Sequence, residues 1–140
     1  MFHKHDARLD LLAGLDIFAR CDRRQLAAIA ALSTQVTLPA GTVLCRRGEN
    51  GREAFVLVEG TVAVSIEDEA IAVLRPGAVF GEMSLLDGKP RVANVTAADQ
   101  VSVLVLTRLE LVSVLDEVPS VAAQVYATLG ARKHDLALSA

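Results

Sequence analysis

The feature that most constrains this chain is the stretch 79–95, VFGEMSLLDGKPRVANV, which sets a glycine, an acid and an arginine at fixed intervals. It begins as the end of a strand, Gly81 breaks the strand, and a short apolar helical turn follows. A helix that opens at a glycine has backbone N–H groups without intrahelical partners, and together with the helix dipole these donors form an anion site. Arg91 can fold back and present a bidentate fork to a phosphate, and Glu82 can accept hydrogen bonds from sugar hydroxyls. The stretch therefore predicts a site for a phosphate attached to a sugar.

The same stretch resembles the phosphate-binding cassette of the cyclic nucleotide-binding domain family, whose pattern is roughly F-G-E-(L/M)-(A/S)-L-(L/M), a short gap and then P-R-x-A-(S/T)-V. The residues that match this pattern are Phe80, Gly81, Glu82, Met83, Ser84, Leu85, Leu86, Pro90, Arg91, Ala93 and Val95. The chain departs from it at Asn94, where Ser or Thr is usual, and at Val92, where a smaller residue is commoner. The phrase L-x-G-L-D-I-F near the N-terminus is also similar to the usual opening of the family.

The resemblance implies a ligand and a set of contacts. It assigns the cyclic phosphate to Arg91 and to the backbone that follows Gly81, and it assigns the ribose 2′-hydroxyl to Glu82. The ligand-binding residues expected from it are Phe80, Gly81, Glu82, Met83, Ser84, Arg91, Val92 and Ala93. Without the pattern, Arg91 would be read as a surface arginine, and Glu82 as an acid stabilised by the helix dipole.

Composition restricts the class of protein. The chain has 140 residues, enough for one domain with a core and short for two, so 1–140 is interpreted as a single domain. The apolar share of 52% disfavours disorder. The charge balance of 14 basic against 17 acidic residues shows no basic patch, which disfavours nucleic-acid binding.

The cellular compartment and the redox state of the cysteines are also inferred from the sequence. No apolar run approaches the roughly 20 residues of a membrane helix, and the N-terminus has no signal-peptide pattern. Cys21 and Cys45 lack the spacing of a redox or metal motif and are interpreted as free thiols in a reducing compartment. A cytoplasmic protein that does not act at a membrane is expected.

Periodicity predicts an α+β fold in which an antiparallel, jelly-roll-like β-roll is flanked by N-terminal and C-terminal helices. Helices are expected over about 6–33, with a capping box at Asp22 and Gln25. Short strands punctuated by Gly and Pro follow over about 35–107, including the cassette at 80–95 and a strand over 92–96. C-terminal helices are expected over about 108–138.

The C-terminal region predicts two helices. Thr107 and Glu110 form a second capping box, and the expected apolar face comprises Leu109, Leu111, Val112 and Leu115. Val118-Pro119 ends this helix, and a final helix begins at Ser120. The stripe of the final helix (Val121, Val125, Leu129, Arg132 or Lys133, and Leu136) is mainly apolar and suggests pairing with a second copy as a homodimer.

Base recognition is the part that the sequence specifies least. Val64 and Leu74 are expected to line the base, with Tyr126 and Arg132 as candidate lid residues and His134 as a further alternative. Where similar bacterial catabolite activators carry a Thr-Ser pair, this chain has Leu136-Ala137, which cannot hydrogen-bond adenine. Cyclic AMP is the expected ligand, and cyclic GMP stays open.

Catalysis has little support. The three histidines, His3, His5 and His134, lie near the termini, and no catalytic triad, paired carboxylates or P-loop pattern is present. A cupin-type metal enzyme would need histidines on the strands. No catalytic residue, metal or cofactor is expected.

The sequence thus predicts a cyclic nucleotide-binding regulatory module. Phosphate capture would draw the cassette inward and let the C-terminal helices swing onto the roll, and an effector domain or partner protein would receive the signal. The alternative is a related fold that no longer binds a nucleotide and serves as a protein-interaction module.

Overall fold

The computed structural model describes the backbone of residues 4–139 and the side chains of residues 8–130. The helices are α1 (Lys4–Ala13), α2 (Arg23–Leu32), α3 (Glu82–Asp87), α4 (Arg108–Glu117) and α5 (Pro119–Ser139), with a 3-10 turn at Asp16–Phe18. The strands are β1 (Thr34–Leu38), β2 (Val43–Cys45), β3 (Glu53–Glu59), β4 (Val62–Ile66), β5 (Glu69–Leu74), β6 (Val79–Phe80), β7 (Asn94–Ala97) and β8 (Val101–Thr107).

The eight strands form two four-stranded sheets in which every pairing is antiparallel. One sheet has the order β1-β8-β3-β6 and the other the order β2-β7-β4-β5. The sheets face each other, and the helices cover the outer face of the first sheet. This is the β-roll with flanking helices that the periodicity predicts, so the expected fold class is confirmed.

The side chains of β3 are buried on both faces of the strand, which explains why its apolar run is continuous. Side chains of Ala54, Val56 and Val58 join the helices in one buried cluster, whereas Phe55 and Leu57 point between the two sheets into a second cluster. Successive side chains of a strand point to opposite faces, so a strand covered on both faces needs apolar residues throughout. β3 therefore anchors the helix layer and the interior of the roll together.

Both predicted capping boxes are present. The Asp22 carboxylate accepts from the Gln25 backbone N–H at 2.8 Å, and the Gln25 side chain accepts from Asp22 N–H at 3.0 Å. Thr107 and Glu110 make the same reciprocal pair at the start of α4. These bonds satisfy helix N–H groups that would otherwise lack partners, and they fix where α2 and α4 begin.

The predicted apolar face of α4 is wrong in part. Leu109 is 79% exposed and Val112 is 38% exposed, whereas the buried side chains are Leu111, Val114 and Leu115. α4 packs against α2, α5 and the first sheet through this second set of positions. The spacing of 111, 114, 115 and 118 is equally helical, so periodicity alone does not select the face.

The strand after the cassette begins later than predicted, at Asn94 rather than residue 92. The backbone of Arg91 pairs instead with the preceding loop, because Arg91 N–H donates to Glu49 O and Gly48 N–H donates to Arg91 O, each at 2.8 Å. The final helix begins one residue earlier than predicted, at Pro119. Within residues 4–139, no helix is both long and apolar enough to cross a bilayer.

Candidate functional site

Gly81 is the first element of the site because both its conformation and its surroundings exclude a side chain. It caps α3 with φ +81°, a left-handed conformation that glycine adopts without strain. A Cβ atom at this position would lie 2.7 Å from Arg91 Nη1 and 3.2 Å from the carbonyl oxygen of Glu53. The glycine therefore lets α3 start against the arginine, with the backbone N–H groups of its first turn unpartnered within the helix.

Arg91 is buried, with 9% of its surface exposed, and it is fixed by two backbone carbonyls. Its Nη1 donates to Gly81 O at 2.6 Å, and its Nη2 donates to Glu53 O at 2.7 Å. Burying a guanidinium is costly unless its N–H groups are hydrogen-bonded, and these bonds supply that compensation. The fork is thereby held beside the start of α3, where the sequence predicts an anion.

Gly51 provides the space in which this guanidinium lies. A Cβ atom at residue 51 would be 2.7 Å from Arg91 Cζ, 2.9 Å from Arg91 Nε and 2.7 Å from the Cβ of Ser84. Ordinary contacts between carbon atoms are about 3.5–4.0 Å. The loop between β2 and β3 therefore packs its bare backbone against the arginine and the first turn of α3.

A cavity of about 280 Å³ opens in front of these groups. The predicted residues Phe80, Gly81, Glu82, Met83, Ser84, Arg91, Val92 and Ala93 all line it, and so do Val64 and Leu74. Beneath it, the rings of Phe55 and Phe80 stack with their centres 5.0 Å apart. The fold thus assembles residues from the cassette, β4 and β5 around one chamber.

The chamber is polar at one end only. Its polar side chains are Cys45, Glu82, Ser84 and Arg91, and all four are buried. The other end consists of the apolar side chains Val64, Ile71, Ala72, Leu74 and Val92. The arrangement suits a ligand with an anionic end and a flat, weakly polar end.

The model of the cyclic nucleotide-binding domain family matches residues 35–118. The chain belongs to this family. Two bacterial relatives are cyclic nucleotide-gated potassium channels, one from Mesorhizobium japonicum (38% identical over 112 residues) and one from Rhizobium etli (37% identical over 112 residues). Each alignment covers 80% of this chain and 31% of the channel, so the chain spans about a third of the length of these relatives.

Several solved structures share the fold. PKAR CBD2 bound to Sp-2Cl-cAMPS superposes with a TM-score of 0.80 at 23% identity, over 96% of this chain and 92% of that one. The catabolite activator protein of Thermus thermophilus superposes with a TM-score of 0.75 at 25% identity, over 88% of this chain and 60% of that one. The regulatory subunit of a cAMP-independent protein kinase A from Trypanosoma brucei superposes with a TM-score of 0.78 at 21% identity, over 89% of this chain and 45% of that one.

Among the candidate lid residues, only Tyr126 has a described side chain, and it is not brought to the cavity. Tyr126 is 54% exposed and does not line the cavity, because α5 packs against α4 and the 3-10 turn rather than against β4 and β5. Arg132, His134 and Leu136-Ala137 lie outside the described side chains. In the described part of the chain, the apolar lining of the cavity therefore comes from strand and cassette residues.

Three cavity residues, Cys45, Ile71 and Ala72, have no local sequence signal. Cys45 lies on β2 and reaches the cavity through the pairing of β2 with β7. Burial raises the pKa of the Cys45 thiol to about 11, a shift that nearby Arg91 opposes and Glu82 reinforces. Ile71 belongs to β5, at the edge of its sheet, and is 50% exposed at the cavity.

The departure at Asn94 has a structural role. The side-chain oxygen of Asn94 accepts from the Arg47 backbone N–H at 2.9 Å, and the Arg47 side chain pairs with Glu67 at 3.0 Å. These bonds tie the loop before β3 to β7. Among the described residues there is no cluster of three or more His, Cys, Asp or Glu side chains that could hold a metal ion.

Proposed function

We propose that this chain is a regulatory module that binds cyclic AMP in the 280 Å³ chamber. The observation that carries the proposal is the buried guanidinium of Arg91, fixed by the carbonyls of Gly81 and Glu53 beside the first turn of α3. A cyclic phosphate carries one negative charge, and this pre-positioned fork together with the N–H groups after Gly81 supplies charge-assisted donors for it.

Glu82 is proposed to bind the ribose. It is the first residue of α3, it is 1% exposed, and it lines the same end of the cavity as Arg91. A carboxylate is an acceptor without donors, which matches a sugar 2′-hydroxyl. Ser84 and Met83 contribute through the backbone of the same helical turn.

The apolar end of the chamber favours adenine over guanine. Val64, Leu74, Ile71, Ala72 and Val92 offer no side-chain hydrogen bonds to a base. The pairing edge of guanine has one more hydrogen-bonding group than that of adenine. Burying it without a partner costs about 1–3 kcal/mol. We therefore expect cyclic AMP to bind more tightly than cyclic GMP by about tenfold.

The output is proposed to pass through α3 to the C-terminal helices. Leu85 of α3 is buried in the same cluster as Leu111, Val114 and Val121, and Arg108 Nε donates to Leu85 O at 3.1 Å. Movement of α3 on phosphate capture would therefore reposition α4 and α5. A ligand shifts such an equilibrium only by its difference in affinity for the two states. An effector domain in a longer protein, or a partner in the cytoplasm, would read the change, with α5 available for pairing two copies.

The test is calorimetric titration of the purified chain with cyclic AMP, cyclic GMP and 5′-AMP, after any nucleotide carried over from expression has been removed. The proposal expects one saturable site, tightest for cyclic AMP and weakest for the open phosphate of 5′-AMP. Absence of heat up to millimolar cyclic AMP with an empty chamber would overturn it. That result would favour the alternative of a protein-interaction module, which the fold also permits, since it is shared with a regulatory subunit of a cAMP-independent kinase.

A further inference from the structure

A second cavity lies behind the cassette, on the side of α3 away from the nucleotide chamber. It is an open depression with a volume of about 590 Å³. Its walls are the loop 50–52, the segment 84–89 that ends α3, and Arg108 at the start of α4. We refer to these residues as the rear groove.

The rear groove concentrates positive charge in a chain of net charge −3. Three basic side chains line it (Arg52, Lys89 and Arg108), against one acid, Asp87. Within the described part of the chain, none of the three basic side chains has a carboxylate partner within 4 Å, and the Asp87 side chain accepts from the Lys89 backbone N–H at 2.9 Å. The three cations come from three separate segments, so the fold and not a run of sequence gathers them.

We propose that the rear groove binds an acidic segment of a partner protein. Its volume suits several residues of extended peptide rather than one phosphate, and the partly exposed Leu86 adds an apolar contact beside the cations. Carboxylate side chains are the chemical complement of these guanidinium and ammonium groups, with which they form charge-assisted hydrogen bonds. The single acid and the small number of cations disfavour a nucleic acid, which would need a longer basic track.

The groove and the nucleotide chamber share a wall. Ser84 lines both cavities, and Gly51 of the groove approaches both Ser84 and the Arg91 guanidinium. A displacement of α3 therefore changes both sites at once. This coupling, which rests on the proposed nucleotide function, means that the acidic segment and cyclic AMP alter each other's affinity by the same factor.

The test is fluorescence polarisation of a fluorescein-labelled peptide, Glu-Glu-Leu-Glu-Glu-Leu, titrated with the intact chain at low salt, with and without saturating cyclic AMP. We expect micromolar to sub-millimolar binding that weakens by about tenfold in the double variant R52Q/K89Q, since two exposed charge pairs are lost. The matched control R24Q/R75Q removes the same charge at exposed positions outside the groove and should leave binding unchanged. Cyclic AMP should shift the peptide dissociation constant at least threefold.

Other outcomes overturn the proposal. The proposed binding of an acidic segment in the rear groove is refuted if no peptide binds at protein concentrations up to millimolar. It is also refuted if both double variants weaken peptide binding equally. Displacement of the peptide by low-millimolar inorganic phosphate would make it a small-anion site, and tighter binding of a labelled DNA duplex than of the peptide would make it a nucleic-acid site. Peptide binding that ignores cyclic AMP, in a chain shown by calorimetry to bind the nucleotide, refutes the coupling. Peptide binding in a chain that does not bind the nucleotide leaves the groove standing and refutes the nucleotide function alone.

Discussion

Replacing Gly51 with alanine tests the packing that places Arg91 and the first turn of α3, without changing any residue that lines the chamber. The backbone of Gly51 does not have a positive φ, so alanine fits its conformation. In the absence of a clash, Gly→Ala at such a position stabilises a protein by about 0.4–1 kcal/mol. The added Cβ would, however, lie 2.7 Å from Arg91 Cζ and 2.7 Å from the Cβ of Ser84. A loss of stability would therefore report the clash itself.

The size of the effect follows from the contacts. Restoring an ordinary carbon–carbon distance requires the guanidinium to move by roughly 0.8 Å. Its bonds to Gly81 O and Glu53 O, at 2.6 and 2.7 Å, would then exceed normal hydrogen-bond length for at least one carbonyl. One hydrogen bond to a charged group is worth about 1.5–3 kcal/mol. We expect Gly51→Ala to lose about 1–2 kcal/mol of stability and to bind cyclic AMP about 10- to 100-fold more weakly.

The assay combines urea denaturation with calorimetric titration of cyclic AMP. Gly14→Ala is the matched control, since Gly14 also lacks a positive φ, its nearest contact would be an ordinary 3.5 Å, and it lies outside the cavity lining. Unchanged affinity together with unchanged or increased stability in Gly51→Ala would refute the reasoning.

Three further perturbations test separate parts of the account. Gly81→Ala places a side chain at φ +81° and 2.7 Å from Arg91 Nη1, so it should cost about 2–4 kcal/mol in urea denaturation; a cost below that of Gly14→Ala would contradict this. Burial raises the Cys45 pKa from 9.0 to about 11, because the folded state disfavours the thiolate. The neutral thiol therefore contributes fully to folding stability below pH 9, and this contribution is lost as the pH rises towards 11. Between pH 8.5 and 11, the free energy of unfolding should fall by about 2 kcal/mol more in the wild type than in Cys45→Ala. The same pH dependence in both proteins would contradict the proposed effect of burial on the Cys45 thiol. Thr107→Ala removes the cap of α4 and should lower stability by about 1 kcal/mol, whereas an unchanged midpoint would show that the cap is dispensable.

The parts of the site that the sequence predicts are those where geometry permits few residue types. Gly81 has a positive φ and is in close contact with Arg91, and the guanidinium fork of Arg91 reaches the same turn, so both positions stand out from the sequence. The capping box of α4 is similarly local, because Thr107 and Glu110 are three residues apart and contact each other directly.

The parts that the sequence does not specify depend on contacts between distant segments. Cys45 reaches the cavity only through the pairing of β2 with β7, and the close approach of Gly51 to Arg91 joins residues forty positions apart. The sequence of α4 has two sets of apolar residues at helical spacing, and the prediction places Leu109 on the buried face. In the structure, packing against the first sheet buries the other set and leaves Leu109 exposed. Tyr126 is one of the candidate lid residues, but α5 docks on α4 and the 3-10 turn, and Tyr126 does not line the cavity.

The central claim is that the Arg91 guanidinium holds the phosphate of a cyclic nucleotide. The most direct measurement is the calorimetric dissociation constant of cyclic AMP for the wild type, Arg91→Ala, Arg91→Lys and the exposed control Arg75→Ala, with circular dichroism confirming that each variant is folded. The account predicts that Arg91→Ala weakens binding at least 100-fold, that Arg91→Lys restores part of the loss because it keeps the charge without the fork, and that Arg75→Ala binds like the wild type. Equal affinity of folded Arg91→Ala and wild type would contradict the claim.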